Sequence, residues 1–119
     1  MRLLHSFRFA FNGIGYCFRT QRNFRIHLGV LSLVIAAGIF FNINDTEWLF
    51  VVLCSMVVLV LELLNTALEY LCDTITTDFH PAIKVIKDMA AAAVFISAAG
   101  SVVTGLIIFL PKIITLLPL

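Results

Sequence analysis

From Met89 to Leu110 the chain runs for twenty-two residues without one charged side chain, and Pro111 and Lys112 follow. A helix of that length rises about 33 Å at ~1.5 Å per residue, enough to cross a hydrocarbon core of about 30 Å. Two further apolar segments are comparable. One begins at Trp48, a residue type that anchors at the membrane interface, and stays apolar until Glu62. The other, Ile26 to Phe41, is short and is completed by Phe24 and a snorkelling Arg25. With 61% hydrophobic and only 13% charged residues, the composition lies outside the soluble range and bounds the fold as all-α and integral to a membrane. The expected architecture is a single domain over 1–119: an amphipathic surface helix at 1–22 and transmembrane helices at 24–41, 48–70 and 82–110.

In the N-terminal segment Leu4, Phe7, Phe11, Ile14 and Phe18 recur at steps of three and four, with His5, Arg8, Asn12 and Arg19 on another face. This pattern predicts a basic helix lying on the membrane, or one whose Phe stripe packs on the spans. Arg8 and Asn12 interrupt any apolar run after Arg2, which argues against a cleaved signal peptide. Seven of the eight basic residues flank one end of the expected spans, and Asn42 to Glu47 has none. The positive-inside rule then places the N-terminal helix and the Leu71 to Asp88 connection on the cytoplasmic side of the membrane. No basic run is interleaved with aromatics, so nucleic acid is not an expected partner. Cys17, Cys54 and Cys72 lack metal-ligand spacing and read as buried free thiols.

Function is signalled by Glu62, Asn65, Glu69 and Asp73, which fall within roughly 80° of arc on one helix. Counted from Trp48, Glu62 lies roughly 21 Å across the bilayer and Glu69 about 31 Å, at its boundary. Desolvation penalises an ionised carboxylate at the first depth, which suits Glu62 to accept a proton; Glu69 and Asp73, nearer water, suit a cation. Asn65 can orient a carboxylate or a substrate oxygen. Buried polar residues also glue helices together, but adhesion does not require three acids that repel one another. Three helices are too few to enclose the stripe, which points to oligomerisation.

Past this ladder, His80 and Pro81 open a new helix whose first turns carry Lys84, Lys87 and Asp88. Taken alone, His80 is a turn or capping residue, and Lys84 with Asp88 is an ordinary i, i+4 pair. Beside an acid stripe, the two lysines suit an anionic, metal-bound nucleotide. No glycine-rich phosphate loop occurs.

The string Glu62-Leu-Leu-Asn65-Thr-Ala-Leu-Glu69-Tyr-Leu-Cys-Asp73, followed by His80-Pro81 and Lys87-Asp88-Met-Ala-Ala-Ala-Ala-Val94, resembles the signature of the prokaryotic diacylglycerol kinase and undecaprenol kinase family. Phe11-Asn-Gly-Ile, Asn23-Phe-Arg-Ile-His27 and Gly105-Leu-Ile-Ile-Phe-Leu-Pro-Lys112 look more like its undecaprenol kinase branch. The resemblance implies a homotrimer with shared active sites and transfer of the γ-phosphoryl of MgATP to a lipid hydroxyl. It implies Glu62 as general base, Asn65 as its positioner and Glu69 as Mg²⁺ ligand. Asp73 and His80 would lie near the nucleotide, and Lys87 and Asp88 would contact ATP. Where the family usually has a second metal-binding Glu, this chain has Gln21, whose amide oxygen can ligate Mg²⁺ but adds no charge. The expected acceptor is undecaprenol, with diacylglycerol as the alternative. A rival of another class, a small proton-coupled transporter, explains Glu62 but leaves Asp73, Lys87 and Asp88 without a task.

Overall fold

The computed structural model describes residues 1–118 and consists of four helices: α1 (Arg2–Thr20), α2 (Arg22–Phe40), α3 (Asp45–Ile75) and α4 (Pro81–Leu116). The last three are long and apolar enough to cross a membrane. At ~1.5 Å per residue, α3 and α4 measure roughly 46 and 54 Å and overshoot a ~30 Å core. Their excess turns carry Glu69 and Asp73, the outer members of the ladder, and the Lys84 to Asp88 segment.

Each boundary has a local cause. A single extended residue, Gln21 (φ −112, ψ 109), separates α1 from α2. The guanidinium of Arg25 turns back to donate to the carbonyls of Phe18 (2.6 Å) and Arg19 (3.2 Å), so it caps α1 rather than extending the first span by snorkelling. The α2–α3 turn passes through Asn42 in the left-handed region (φ 52), a conformation Asn tolerates. Helix α3 then starts at Asp45, earlier than expected, because Asn44 and Glu47 form a capping box: Glu47 N–H donates to Asn44 Oδ1 (2.9 Å) and Asn44 N–H to Glu47 Oε1 (3.1 Å). At the other end α3 continues to Ile75 instead of stopping near 70. His80 Nδ1 accepts from Ala82 N–H (3.1 Å), and Pro81 occupies the first turn of α4.

Pro111 does not end α4, which continues to Leu116. Proline removes one intrahelical donor and disfavours helix interiors. Here the following residue anchors the turn: Lys112 Nζ donates to Ile108 O (3.1 Å) and to Glu47 Oε2 (2.7 Å). This tie closes a small core at the α2–α3 turn, where Ile43, Val51, Ile108 and Phe109 are buried against Val34, Ala37, Phe41 and Trp48. Trp48 lies so close to α2 that a Cβ on Gly38 would sit 2.6 Å from its ring.

Away from that core, apolar side chains face outward, for example Leu33 at 73% and Phe95 at 74% exposure. The Phe stripe of α1 is likewise exposed, from 42% at Ile14 to 69% at Phe11. A different edge of α1 meets α3, through buried Cys17 and an edge-on contact between Tyr16 and Tyr70 (centroids 6.0 Å apart).

Candidate active site

The acid ladder occupies the half of α3 remote from the small core. Glu62 is nearly sealed, with its side chain 4% exposed, within this single chain. The expectation that three helices cannot enclose the stripe is therefore corrected for its deepest member, which α2 covers. His27 Nε2 of α2 stands 3.1 Å from Glu62 Oε1. One turn along, the Thr66 hydroxyl donates to Glu62 O (2.9 Å) and meets Cys17 Sγ (3.5 Å), so α1, α2 and α3 converge here.

Asn65 Nδ2 donates to Glu69 Oε1 (3.3 Å). Among the described residues its buried Oδ1 has no hydrogen-bond partner. A buried acceptor left unpaired costs roughly 1–3 kcal/mol, so this oxygen is poised for a donor or a cation. Asp73 lies about 16 Å from Glu62 along the helix axis at ~1.5 Å per residue. There Asp73 Oδ1 accepts from Lys87 Nζ at 2.7 Å, which bridges the base of α3 to α4. Asp88, the other expected nucleotide contact, accepts instead from Lys84 Nζ (2.6 Å), with side chains 64% and 61% exposed. So open a pair is readily exchanged for another partner. His80 serves as the N-cap of α4.

Gln21 is half-buried at the α1–α2 junction, and among the described residues the Glu69 side chain is hydrogen-bonded only through Asn65. Among the described residues no group of three His, Cys, Asp or Glu side chains gathers as a metal cage. Such a sparse donor set fits Mg²⁺, which is usually held by one or two carboxylates together with water and substrate phosphates.

Periodicity along α3 does not reveal His27 as a site residue. The signal lies in depth instead: His27 is fourteen residues before Phe41 (41 − 27) and Glu62 fourteen after Trp48 (62 − 48). Counted from the shared turn, the two groups sit at one level, roughly 21 Å along antiparallel helices. His27 also borders an apolar cavity of about 370 Å³ between α2, α3 and α4.

Residues 8–109 match the family model of prokaryotic diacylglycerol kinase. The chain is 41% identical over 116 residues to a diacylglycerol kinase of Synechocystis, covering 97% of this chain and 66% of that longer protein. It is equally 41% identical over 112 residues to the undecaprenol kinase of Bacillus subtilis, covering 94% of this chain and 91% of the relative. A Haemophilus influenzae diacylglycerol kinase is 28% identical over 109 residues, covering 90% of this chain and 92% of the relative. With its acid ladder, its Lys87-bearing helix and this similarity spanning nearly the whole chain, the protein belongs to the prokaryotic diacylglycerol kinase family of lipid kinases.

Proposed function

We propose that this protein is an ATP-dependent undecaprenol kinase working at the cytoplasmic face of a bacterial inner membrane. The observation that carries the reading is the graded ladder, with a sealed Glu62 at one end and the Lys87-linked Asp73 at the other. Glu62 accepts the acceptor's hydroxyl proton while its oxygen attacks the γ-phosphorus in line. Asn65 fixes Glu69 through its amide beside the base, and its Oδ1 is left to accept a donor or a cation that arrives with the substrates. Lys87 and Asp88, with Asp73 and His80 nearby, receive the nucleotide at the polar end. Glu69 and Gln21 would hold Mg²⁺, which when bound neutralises phosphate charge. The transporter reading loses its ground with membership of a kinase family.

The open lower end of the ladder, where Asp73 is 62% exposed, supports assembly into a homotrimer with sites completed between neighbours. The cavity between α2, α3 and α4 supports an acceptor with a long apolar tail. Diacylglycerol remains the second acceptor because the Synechocystis relative bearing that name is as similar as the Bacillus one. Purified protein is offered labelled ATP with undecaprenol and diacylglycerol in parallel. Faster labelling of undecaprenol is expected; faster labelling of diacylglycerol would reverse the substrate assignment, and labelling of neither would refute the activity.

A further inference from the structure

Glu62 ends in a terminal carboxylate torsion that is broad and roughly two-fold, so an unheld carboxylate presents either oxygen in any direction. The neighbours on its own helix do not hold it. Thr66 gives its hydroxyl hydrogen to the Glu62 backbone carbonyl, and Asn65 gives its amide to Glu69. The contact to the side chain comes from α2, where His27 Nε2 stands 3.1 Å from Oε1. The imidazole is itself mostly covered, at 24% exposure, and its remaining surface borders the apolar cavity alongside Val30, Leu31, Val58 and Leu59. One ring thus touches both the buried carboxylate and the space suited to an apolar tail.

We propose that His27 is a positioning residue for phosphoryl transfer: by holding Oε1 it leaves Oε2 of Glu62 aimed at a hydroxyl presented from the α2–α3–α4 cavity. This rests on the reading of Glu62 as general base. In the step served, the alcohol O–H bond breaks and its proton passes to Oε2 as the new O–P bond forms. The bond from the γ-phosphorus to its bridging oxygen breaks, and ADP departs with that electron pair. His27 exchanges no proton; it acts through the orientation of Glu62.

The test compares wild type with His27→Leu, His27→Gln, Glu62→Gln and the His27→Leu/Glu62→Gln double variant. Each is assayed in mixed micelles with ATP and both undecaprenol and diacylglycerol, and thermal midpoints are recorded beside the rates. Expected for His27→Leu is a kcat lower by roughly 10- to 100-fold at unchanged KM for ATP, the scale of a misaimed catalytic group. His27→Gln supplies an N–H at similar reach without an ionisable ring and recovers most of that loss. The double variant is no slower than Glu62→Gln alone, because a positioning residue has no effect once the group it positions is gone. Wild-type kcat in His27→Leu, beside an inactive Glu62→Gln, overturns the role of His27. That role is equally overturned if His27→Gln is as slow as His27→Leu, or if rates fall only in step with thermal midpoints. An active Glu62→Gln instead overturns the assignment of the base.

Discussion

Gly38→Ala tests whether the small core at the α2–α3 turn fixes how α2 lies on the rest of the molecule. The added Cβ would approach two Trp48 ring carbons to 2.6 and 2.9 Å and the Cδ1 of Ile43 to 3.1 Å. Carbon atoms rest at about 3.5–4.0 Å, so the indole must retreat by roughly 1 Å. It has little room, since it packs against the buried cluster of Ile43, Val51, Ile108 and Phe109. Overpacking of this kind costs roughly 1–3 kcal/mol, and replacing an interior helical glycine by alanine returns about 0.5–1 kcal/mol. The net loss spans about 0–2.5 kcal/mol, and a central value of about 1 kcal/mol is roughly 5-fold in the folding equilibrium. Trp48 is the one tryptophan of the chain, so its emission during denaturant-driven unfolding in detergent reads the perturbed contact directly. Gly29→Ala is the control on the same helix, because nothing lies within 4 Å of its added Cβ. That variant should match wild type or exceed it by up to about 1 kcal/mol. Equal effects at the two glycines, or an unshifted Trp48 emission with undiminished stability in Gly38→Ala, would refute the packing argument.

Gln21→Glu adds a carboxylate at the proposed Mg²⁺ site and should lower the Mg²⁺ concentration needed for half-maximal activity; an unchanged requirement would remove Gln21 from the ligand set. Lys87→Met breaks the 2.7 Å tie to Asp73 and removes a proposed phosphate contact, so KM for ATP should rise while KM for the lipid alcohol stays put. Lys84→Met should leave KM for ATP near wild type, since Lys84 belongs to an exposed i, i+4 pair.

What the sequence disclosed followed the range of each signal. Four ladder residues on one helix obey one periodicity, so Glu62, Asn65, Glu69 and Asp73 were legible as a unit without any partner. Apolar run length located α2, α3 and α4, but their ends depended on chemistry that run length ignores. Asn44 and Glu47 cap each other and advance α3 to Asp45, and Lys112 ties down the turn that Pro111 was expected to end. Contacts between helices were the least legible. Nothing in the spacing of Asp73 and Lys87, fourteen apart, distinguishes an ion pair from two separate nucleotide contacts. His27 meets Glu62 only because two antiparallel helices share a turn, and that requires counting depth along both helices from it.

Asn65 offers the sharpest separation between a ladder kept for chemistry and one kept for helix adhesion. Its Oδ1 is buried without a partner, at a penalty of roughly 1–3 kcal/mol. Its amide makes one long bond, 3.3 Å, to Glu69, a side chain that is only half-buried and can turn to water. If adhesion were the purpose, Asn65→Leu would remove glue and destabilise the fold. If the unpaired oxygen awaits a donor or a cation brought by the substrates, the same substitution removes a buried liability and adds apolar surface. Asn65→Leu should then raise the thermal midpoint while phosphoryl transfer falls by roughly 100-fold or more, the scale on which positioned catalytic groups act. The readouts are thermal unfolding in detergent and labelled phosphate transfer on the same preparation. A variant both less stable and still active would return Asn65 to a structural role and leave Glu62 without its partner in the reaction.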